Sequence, residues 1–322
     1  MKIGVVVATY NGEKYIEEQL KSILEQTMRP DMVVISDGKS SDATIECCKR
    51  ILGRYNTAYR ILTSEKQLQV SENFQKGLEY CDCDFIFFSD QDDVWLPQKI
   101  ETIVNEMSQN DAQMAFTNAY IVDQNLKSSE ITLWESIGFK IDNNITLIET
   151  HDKKFILELL KHNVVTGMCV CITKEIKMRL LPFPEGVLHD KWIAFISILF
   201  GRVVAIDVPM VLYRQHKNNV VGTKTNVTLA LRHSKYYFYN VVSRNEMIKK
   251  IYSNSKIADI PENVKIILEE YINYLQKRIH YMQKEKTVFF LIRNIGMYKK
   301  YEYNFRQIML KDFFVRIVSK EK

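Results

Sequence analysis

The stretch Asp84-Phe85-Ile86-Phe87-Phe88-Ser89-Asp90-Gln91-Asp92-Asp93-Val94-Trp95-Leu96-Pro97 limits what this chain can fold into more than any other. A run of bulky apolar residues that stops abruptly at three carboxylates reads as a buried parallel strand whose C-terminal end opens onto a site. Pro97 then suits the first turn of a helix. Gathered at one strand end, Asp90, Asp92 and Asp93 repel one another unless a positive charge sits among them. Hard carboxylate oxygens suit Mg2+ or Mn2+, ions that commonly complete their shell with substrate phosphates, so the stretch points to a cation and a diphosphate. The competing reading is that these acids solvate a loop and favour the N-terminus of the helix beginning at Pro97.

Residues 1–110 alternate strand and helix. Ile3–Ala8 reads as a strand followed by the polar turn Thr9-Tyr10-Asn11-Gly12. Tyr15, Ile16, Leu20, Ile23 and Leu24 then recur at helical spacing within Glu13 to Gln26, which Arg29-Pro30 ends. Met32–Ser36 is a second strand ending at Asp37, and Ser41 to Arg54 a second helix with Ser40 or Ser41 as its cap. Tyr59–Thr63, a helix near Ser71–Tyr80 and the strand Phe85–Ser89 complete the series. Such alternation implies a parallel sheet wrapped by helices, with ligands beyond the carboxyl ends of the strands. Thr9-Tyr10, Asp37 and Asp90-Gln91-Asp92 all fall at such ends and line one cleft. Farther on, Asn163–Cys171 reads as another strand.

A chain of 322 residues, 46% hydrophobic and 26% charged, can bury a full core and carry an appendage. No apolar run is long enough to span a bilayer, and the N-terminus has no signal-peptide layout. The cysteines, Cys47-Cys48, Cys81-x-Cys83 and Cys169-x-Cys171, fit neither a zinc pair nor a secreted scaffold, so reduced, mostly buried thiols in the cytoplasm are expected. The turn after the first strand lacks the Gly-x-Gly-x-x-Gly of a dinucleotide fold, and no phosphate-binding Gly-x-x-x-x-Gly-Lys-Ser/Thr loop occurs.

Five segments in order carry a resemblance: Ala8-Thr9-Tyr10-Asn11-Gly12, the Asp37 loop, Ser89 to Pro97, Leu188-His189-Asp190-Lys191-Trp192, and Tyr213-Arg214-Gln215-His216 running on to Gly222. Together they resemble the signatures of family 2 glycosyltransferases, and within them the bacterial rhamnosyltransferase-type enzymes of cell-surface polysaccharide assembly. The resemblance covers roughly residues 1–225. It implies a GT-A fold, an α/β Rossmann-like and mostly parallel sheet, with a dTDP- or UDP-linked sugar donor, a saccharide acceptor, free or lipid-linked, and Mn2+ or Mg2+. Carried onto this chain, it implies that Ala8, Thr9 and Tyr10 line the nucleoside pocket with Asp37 and Gln91, and that Glu13 helps hold it. Asp90 would face ribose or metal, Asp92 would be the principal metal ligand, and His216 a second metal or diphosphate contact. Asp190 corresponds to the acid that deprotonates the acceptor, which with a diphosphate on the opposite side means in-line displacement and inversion.

Each of these has a plainer reading. Asp190 is equally a first-turn acid on the helix that follows, and His216 a hydrogen-bonded loop histidine. Trp95 and Trp192, with His189, offer surfaces for a sugar or acceptor pocket but also suit a core, and for Gly167 packing competes with close approach of a ligand. One position departs from the family pattern: Gly38 stands where a second acid would hydrogen-bond the base. Asp37 or Asp42 takes over that contact, or the base is held less tightly, or Lys39 meets phosphate instead.

Beyond Gly222, Asn226–Tyr252 and Pro261–Lys286 carry helical patterns. From Lys277 onward twelve cationic residues face four acidic ones, so the net charge of +5 belongs to this tail. Phe289, Phe290, Tyr298, Tyr301, Tyr303, Phe305, Phe313 and Phe314 interleave with it. Such a region suits the inner face of the cell membrane, or else packs on the main domain or a second copy of the chain. A nucleic-acid-binding protein could use the same tail but has no need of an acidic cleft, so no nucleic acid is expected. A metal-dependent nucleotidyltransferase or nucleotide-sugar hydrolase shares the cleft and stays open.

Overall fold

The computed structural model describes residues 1–216, 234–254, 260–283, 288–302 and 304–318. Lys217 to Gly222 of the fifth segment, the boundary near 225, the start of the helix expected from Asn226, the end of that expected from Pro261, and Tyr303 lie outside them.

Two compact units divide the chain, one of residues 1–152 and 164–219, the other of 153–163 and 220–322. The first opens with β1 (Ile3–Thr9), α1 (Ile16–Leu24), β2 (Met32–Asp37), α2 (Thr44–Leu52), β3 (Ala58–Thr63), α3 (Val70–Glu79) and β4 (Phe85–Ser89). Strands β3, β2, β1 and β4 lie side by side in that order, all parallel, as the alternation predicts. Val5, Val6 and Val7 of β1 are buried, as a central strand covered on both faces requires. Helix α1 begins at Ile16 rather than Glu13 because Gly12 O accepts from both Tyr15 N–H and Ile16 N–H, closing a turn first. It buries Ile16, Leu20, Ile23 and Leu24 and leaves Glu17 to pair with Lys21 and, across to α2, with Arg50.

The second half of the sheet is mixed. After β5 (Val94–Trp95) and α4 (Lys99–Gln109) come β6 (Met114–Val122), β7 (Ser128–Thr132), α5 (Leu133–Ile137) and β8 (Ile145–Ile148). A helix of the other unit, α6 (Lys153–Lys161), interrupts the series before β9 (Val170–Thr173), α7 (Lys174–Leu180), α8 (His189–Phe200) and β10 (Val203–Arg214). The sheet continues β4-β9-β6-β10-β5, with β9 antiparallel to both its neighbours and β10 parallel to β6. The strand expected over Asn163–Cys171 is thus shorter and later: Gly167–Cys169 forms a 3-10 turn closed by Cys169 N–H on Thr166 O. That turn aims the Met168 carbonyl at Lys99, a contact a continuous strand has no means of making. Helix α4 likewise starts at Lys99, two residues after Pro97. All six cysteines are free thiols, and all but Cys47 are buried.

The second unit consists of α6 with α9 (Ser234–Ser253), α10 (Glu262–Gln283), α11 (Val288–Arg293), α12 (Ile295–Tyr301) and α13 (Phe305–Val318). Among its described residues the centre is polar. Arg278, 1% exposed, bonds Glu302 at 2.6 Å and Asp312 at 2.8 and 2.9 Å, ringed by Tyr274 and Tyr298. Arg244 also reaches Glu302 and the α6 carbonyls of Leu160 and Lys161. Tyr298 and Tyr301, expected among the rings of a membrane-facing tail, are instead wholly buried, the Tyr298 hydroxyl bonding Asp312 of this network and the Tyr301 ring stacking on Tyr274 while its hydroxyl bonds Glu270. Among the described residues no helix is long and apolar enough to cross a membrane. Replacing Arg278 by Met removes the guanidinium that bonds both buried carboxylates, Glu302 and Asp312, and should cost about 3–5 kcal/mol. The check is urea unfolding followed by near-ultraviolet tyrosine dichroism, since all three tryptophans, Trp95, Trp134 and Trp192, lie in the other unit.

Candidate functional site

Strands β1, β2 and β4 end at one rim, with Thr9 in register with Asp37 and Val7 with Ser89. Two loops leave that rim and are laced together by side chains. Asp37, 2% exposed, accepts from Thr9 Oγ1 at 2.8 Å, from Ser40 Oγ at 2.6 Å, and from the N–H groups of Ser40 and Lys39 at 2.8 and 3.1 Å. Its carboxylate is used up in holding the turn, and the left-handed Lys39, φ 76°, follows from that. Asp37 therefore shapes the nucleoside pocket expected here rather than offering oxygens to it.

Asp42 is equally occupied. It accepts from Glu13 N–H at 3.1 Å and Thr44 N–H at 3.1 Å, while Glu13 Oε2 accepts from Ala43 N–H at 2.9 Å. Glu13 and Asp42 thus tie the loop after β1 to the start of α2. Ser40 and Ser41, expected as helix caps, instead bond Asn11. Gln91 spends both ends of its carboxamide on Tyr10, accepting from the N–H at 2.9 Å and donating to the carbonyl at 3.0 Å. It thereby holds the loop after β1 in place. What the lacing leaves open is the ring of Tyr10, 41% exposed, beside the half-buried Ala8.

The acids of the β4 loop part company. Asp93 is buried: Oδ1 accepts from Arg214 N–H at 3.0 Å, and Oδ2 has no hydrogen-bond partner. Burial, then Asp92 and Asp90, pushes it well above the ordinary carboxylate range. Asp92 meets His216, Oδ2 to Nε2, at 2.7 Å. Asp90 is half-buried, and burial first, then the charges of Asp92 and Asp190, pushes its pKa up to about 7. Beneath them Lys99, fully buried, donates to Met168 O at 2.5 Å and lies 3.5 Å from the Trp95 ring centroid. Burial pushes it down to about 7.

Asp190 lies in the first turn of α8, 8% exposed, with its Oδ1 accepting from Lys191 N–H at 2.7 Å. Asp90, Asp92, Asp190 and His216 are therefore brought to one rim. His189 stacks on Phe74 at 4.2 Å and fills the space a side chain at Gly167 would take, 2.4 Å from Nε2, so packing explains Gly167. Both ring nitrogens of His189 are buried and without hydrogen-bond partners, and burial lowers its pKa. Trp95 and Trp192 are corrections: Trp95 is 2% exposed against Phe87, and Trp192 is wholly buried with its indole N–H on Leu180 O. Neither offers a face to a sugar. Reading by residue type missed Lys99 as part of the site and gave Arg214 no role in it. For Lys99 a signal existed, its place on the face of α4 that carries Ile100, Ile103, Val104 and Met107.

Among the described residues no three His, Cys, Asp or Glu side chains form a ready-made cation cage. Asp92 and His216 converge as one oxygen and one nitrogen donor beside Asp90, and that set fits an ion that takes the rest of its shell from phosphate and water.

Residues 4–166 match the model of glycosyl transferase family 2. Shigella flexneri dTDP-rhamnosyl transferase RfbG is 31% identical over 254 residues, covering 72% of this chain and 80% of that protein. An uncharacterized glycosyltransferase of Haemophilus influenzae is 26% identical over 254 residues, covering 78% and 92%. Among solved structures, S. aureus TarS 1-349 superposes with a TM-score of 0.61 at 15% identity, covering all of this chain and 92% of that one. A Pyrobaculum calidifontis mannosyltransferase in complex with GDP-Man and Mn2+ gives 0.53 at 15% identity, covering 99% and 86%.

An added Cβ at Gly12 would lie 2.1 Å from Gln91 Oε1, so Gly12→Ala must expel that side chain and break both bonds to Tyr10. The expected loss is about 1–3 kcal/mol, read from thermal unfolding, with the Gly12→Ala/Gln91→Ala double variant no worse than Gln91→Ala alone. A carboxyl whose folded pKa lies above its unfolded 3.8 holds its proton more tightly when folded, so raising pH through about 7 costs stability that a cation restores. Loss of the Lys99 proton over the same interval also favours a cation. Mn2+ should therefore raise the melting temperature more at about pH 8 than at about pH 6, and Asp90→Asn should narrow that difference.

Proposed function

The chain belongs to glycosyl transferase family 2, and from that premise we propose that it moves a sugar, with inversion, from a nucleoside-diphosphate donor to a saccharide acceptor in cell-surface polysaccharide assembly. The observation that carries this reading is the convergence at one sheet rim of a carboxylate on α8, Asp190, with the pair Asp92–His216. A base and a leaving-group site are both needed for single displacement, and these residues supply the two.

In this reading the Tyr10 ring and the loop edges bound by Asp37, Gln91 and Glu13 receive the nucleoside. Asp92 and His216, with Asp90 beside them, would hold Mn2+ or Mg2+, which when bound would supply positive charge to neutralise the leaving diphosphate. Asp190 takes the proton of the acceptor hydroxyl as the new bond forms, since that alcohol is too weak an acid to attack unaided. His189, neutral because burial disfavours its charge, borders the sugar or acceptor beside it. Rhamnose carried on dTDP, or a hexose on UDP, is the donor class that the relatives' names support. A lipid-linked acceptor would give the cationic C-terminal tail a purpose at the membrane surface.

Asp190→Asn should lower transfer by about 100-fold to 10,000-fold or more while nucleotide-induced thermal stabilisation stays near wild type. Wild-type turnover in that variant removes Asp190 from the role of base. Product analysis separates the competing chemistry: a glycosyltransferase releases nucleoside diphosphate in proportion to glycoside, a nucleotidyltransferase releases pyrophosphate.

A further inference from the structure

His216 follows Arg214, the last residue of β10, and the two residues meet a single aromatic ring. Tyr15, the residue before α1, stacks on the His216 imidazole with centroids 5.0 Å apart and planes inclined by 23°. The Arg214 guanidinium lies 4.7 Å from the same ring centroid, and Lys14 Nζ also 4.7 Å. Arg214 is itself immobilised. Its side chain donates to Asp92 O at 2.6 Å and Gln124 O at 2.8 Å and pairs with Glu18, and its backbone N–H holds Asp93. With its side chain 3% exposed, the guanidinium joins α1, the acid loop and the end of β6 in one clamp.

We propose that Tyr15, held by Arg214, is a positioning residue that sets the plane of the His216 ring against Asp92 and so fixes the geometry of the cation site. The inference rests on the reading of Asp92 and His216 as the cation's protein donors. An imidazole at a strand end has two free torsions, and a donor pair binds an ion well only when both lone pairs point at one spot. The Asp92 contact holds Nε2, the stack with Tyr15 holds the plane of the ring, and the Arg214 bond to the Asp92 carbonyl holds the acid loop beside them. The tyrosine hydroxyl has no part in the argument, which separates the proposal from a role for Tyr15 in hydrogen bonding.

The test is Mn2+ binding to the full chain without nucleotide, read from the paramagnetic resonance signal of free Mn2+, in wild type, Asp92→Ala, Tyr15→Phe, Tyr15→Leu and Tyr15→Met. The melting temperature of each variant reports its folding, and methionine, which keeps side-chain volume without a ring, stands in should leucine prevent folding. Phenylalanine should keep wild-type affinity within about twofold, whereas leucine and methionine should weaken it by about 10 to 100-fold, the usual cost of losing a ligand's support. Wild-type affinity in the folded leucine or methionine variant overturns the proposal, as does a phenylalanine variant as weak as they are. Indistinguishable Mn2+ binding in wild type and Asp92→Ala is a separate failure, that of the cation site itself.

Discussion

Like charges at the rim of a sheet raise the free energy of the fold until something offsets them, and the first unit is arranged around that repulsion. The chain's own contribution comes from beneath and from one side. Lys99 is sunk under the loop against Trp95, where the Met168 carbonyl partly replaces its lost water. Arg214 approaches laterally and gives its backbone N–H to Asp93 and its side chain to the Asp92 carbonyl. These contacts sort three neighbouring acids into separate jobs. Asp93 turns inward, Asp92 faces His216, and Asp90 holds its proton more tightly than an ordinary carboxylate because of burial and the charges of Asp92 and Asp190.

The acids of the two loops at this rim serve first to hold those loops together. Asp37, Asp42 and Glu13 are spent on backbone N–H groups of the two loops, and Gln91 on the peptide of Tyr10. The loops are also stiff, because each is fixed at several points to the other. A stiff pocket loses little entropy when a nucleoside is bound.

Much of this could be read from residue order. The parallel run of β1 to β4, the strand ends that gather Thr9, Asp37 and Asp90, and the helix opening at His189-Asp190 follow from periodicity and from the meeting of apolar runs with acids. Direction could not be read. Residue type says that Asp37 and Gln91 can accept hydrogen bonds but not from which group, and a tryptophan near an acid suits a core as well as a sugar pocket. Apolar runs also leave strand and turn undistinguished, which is why Thr166–Cys169 was expected to be extended. A tail of mixed cations and rings likewise looks interfacial until Arg278 is found to gather Glu302, Asp312 and two tyrosines inside.

Helix α6 belongs to the second unit although it is encoded between two parts of the first. Its apolar side, Phe155, Ile156, Leu159 and Leu160, is buried in the finished protein, and the Leu160 carbonyl accepts from Tyr271, 111 residues later. On a ribosome moving at about 5–20 residues per second, α6 leaves the exit tunnel about 5 to 20 seconds before that partner. During synthesis the sheet can close while α6 waits with its apolar side uncovered by the helices that follow it in the chain.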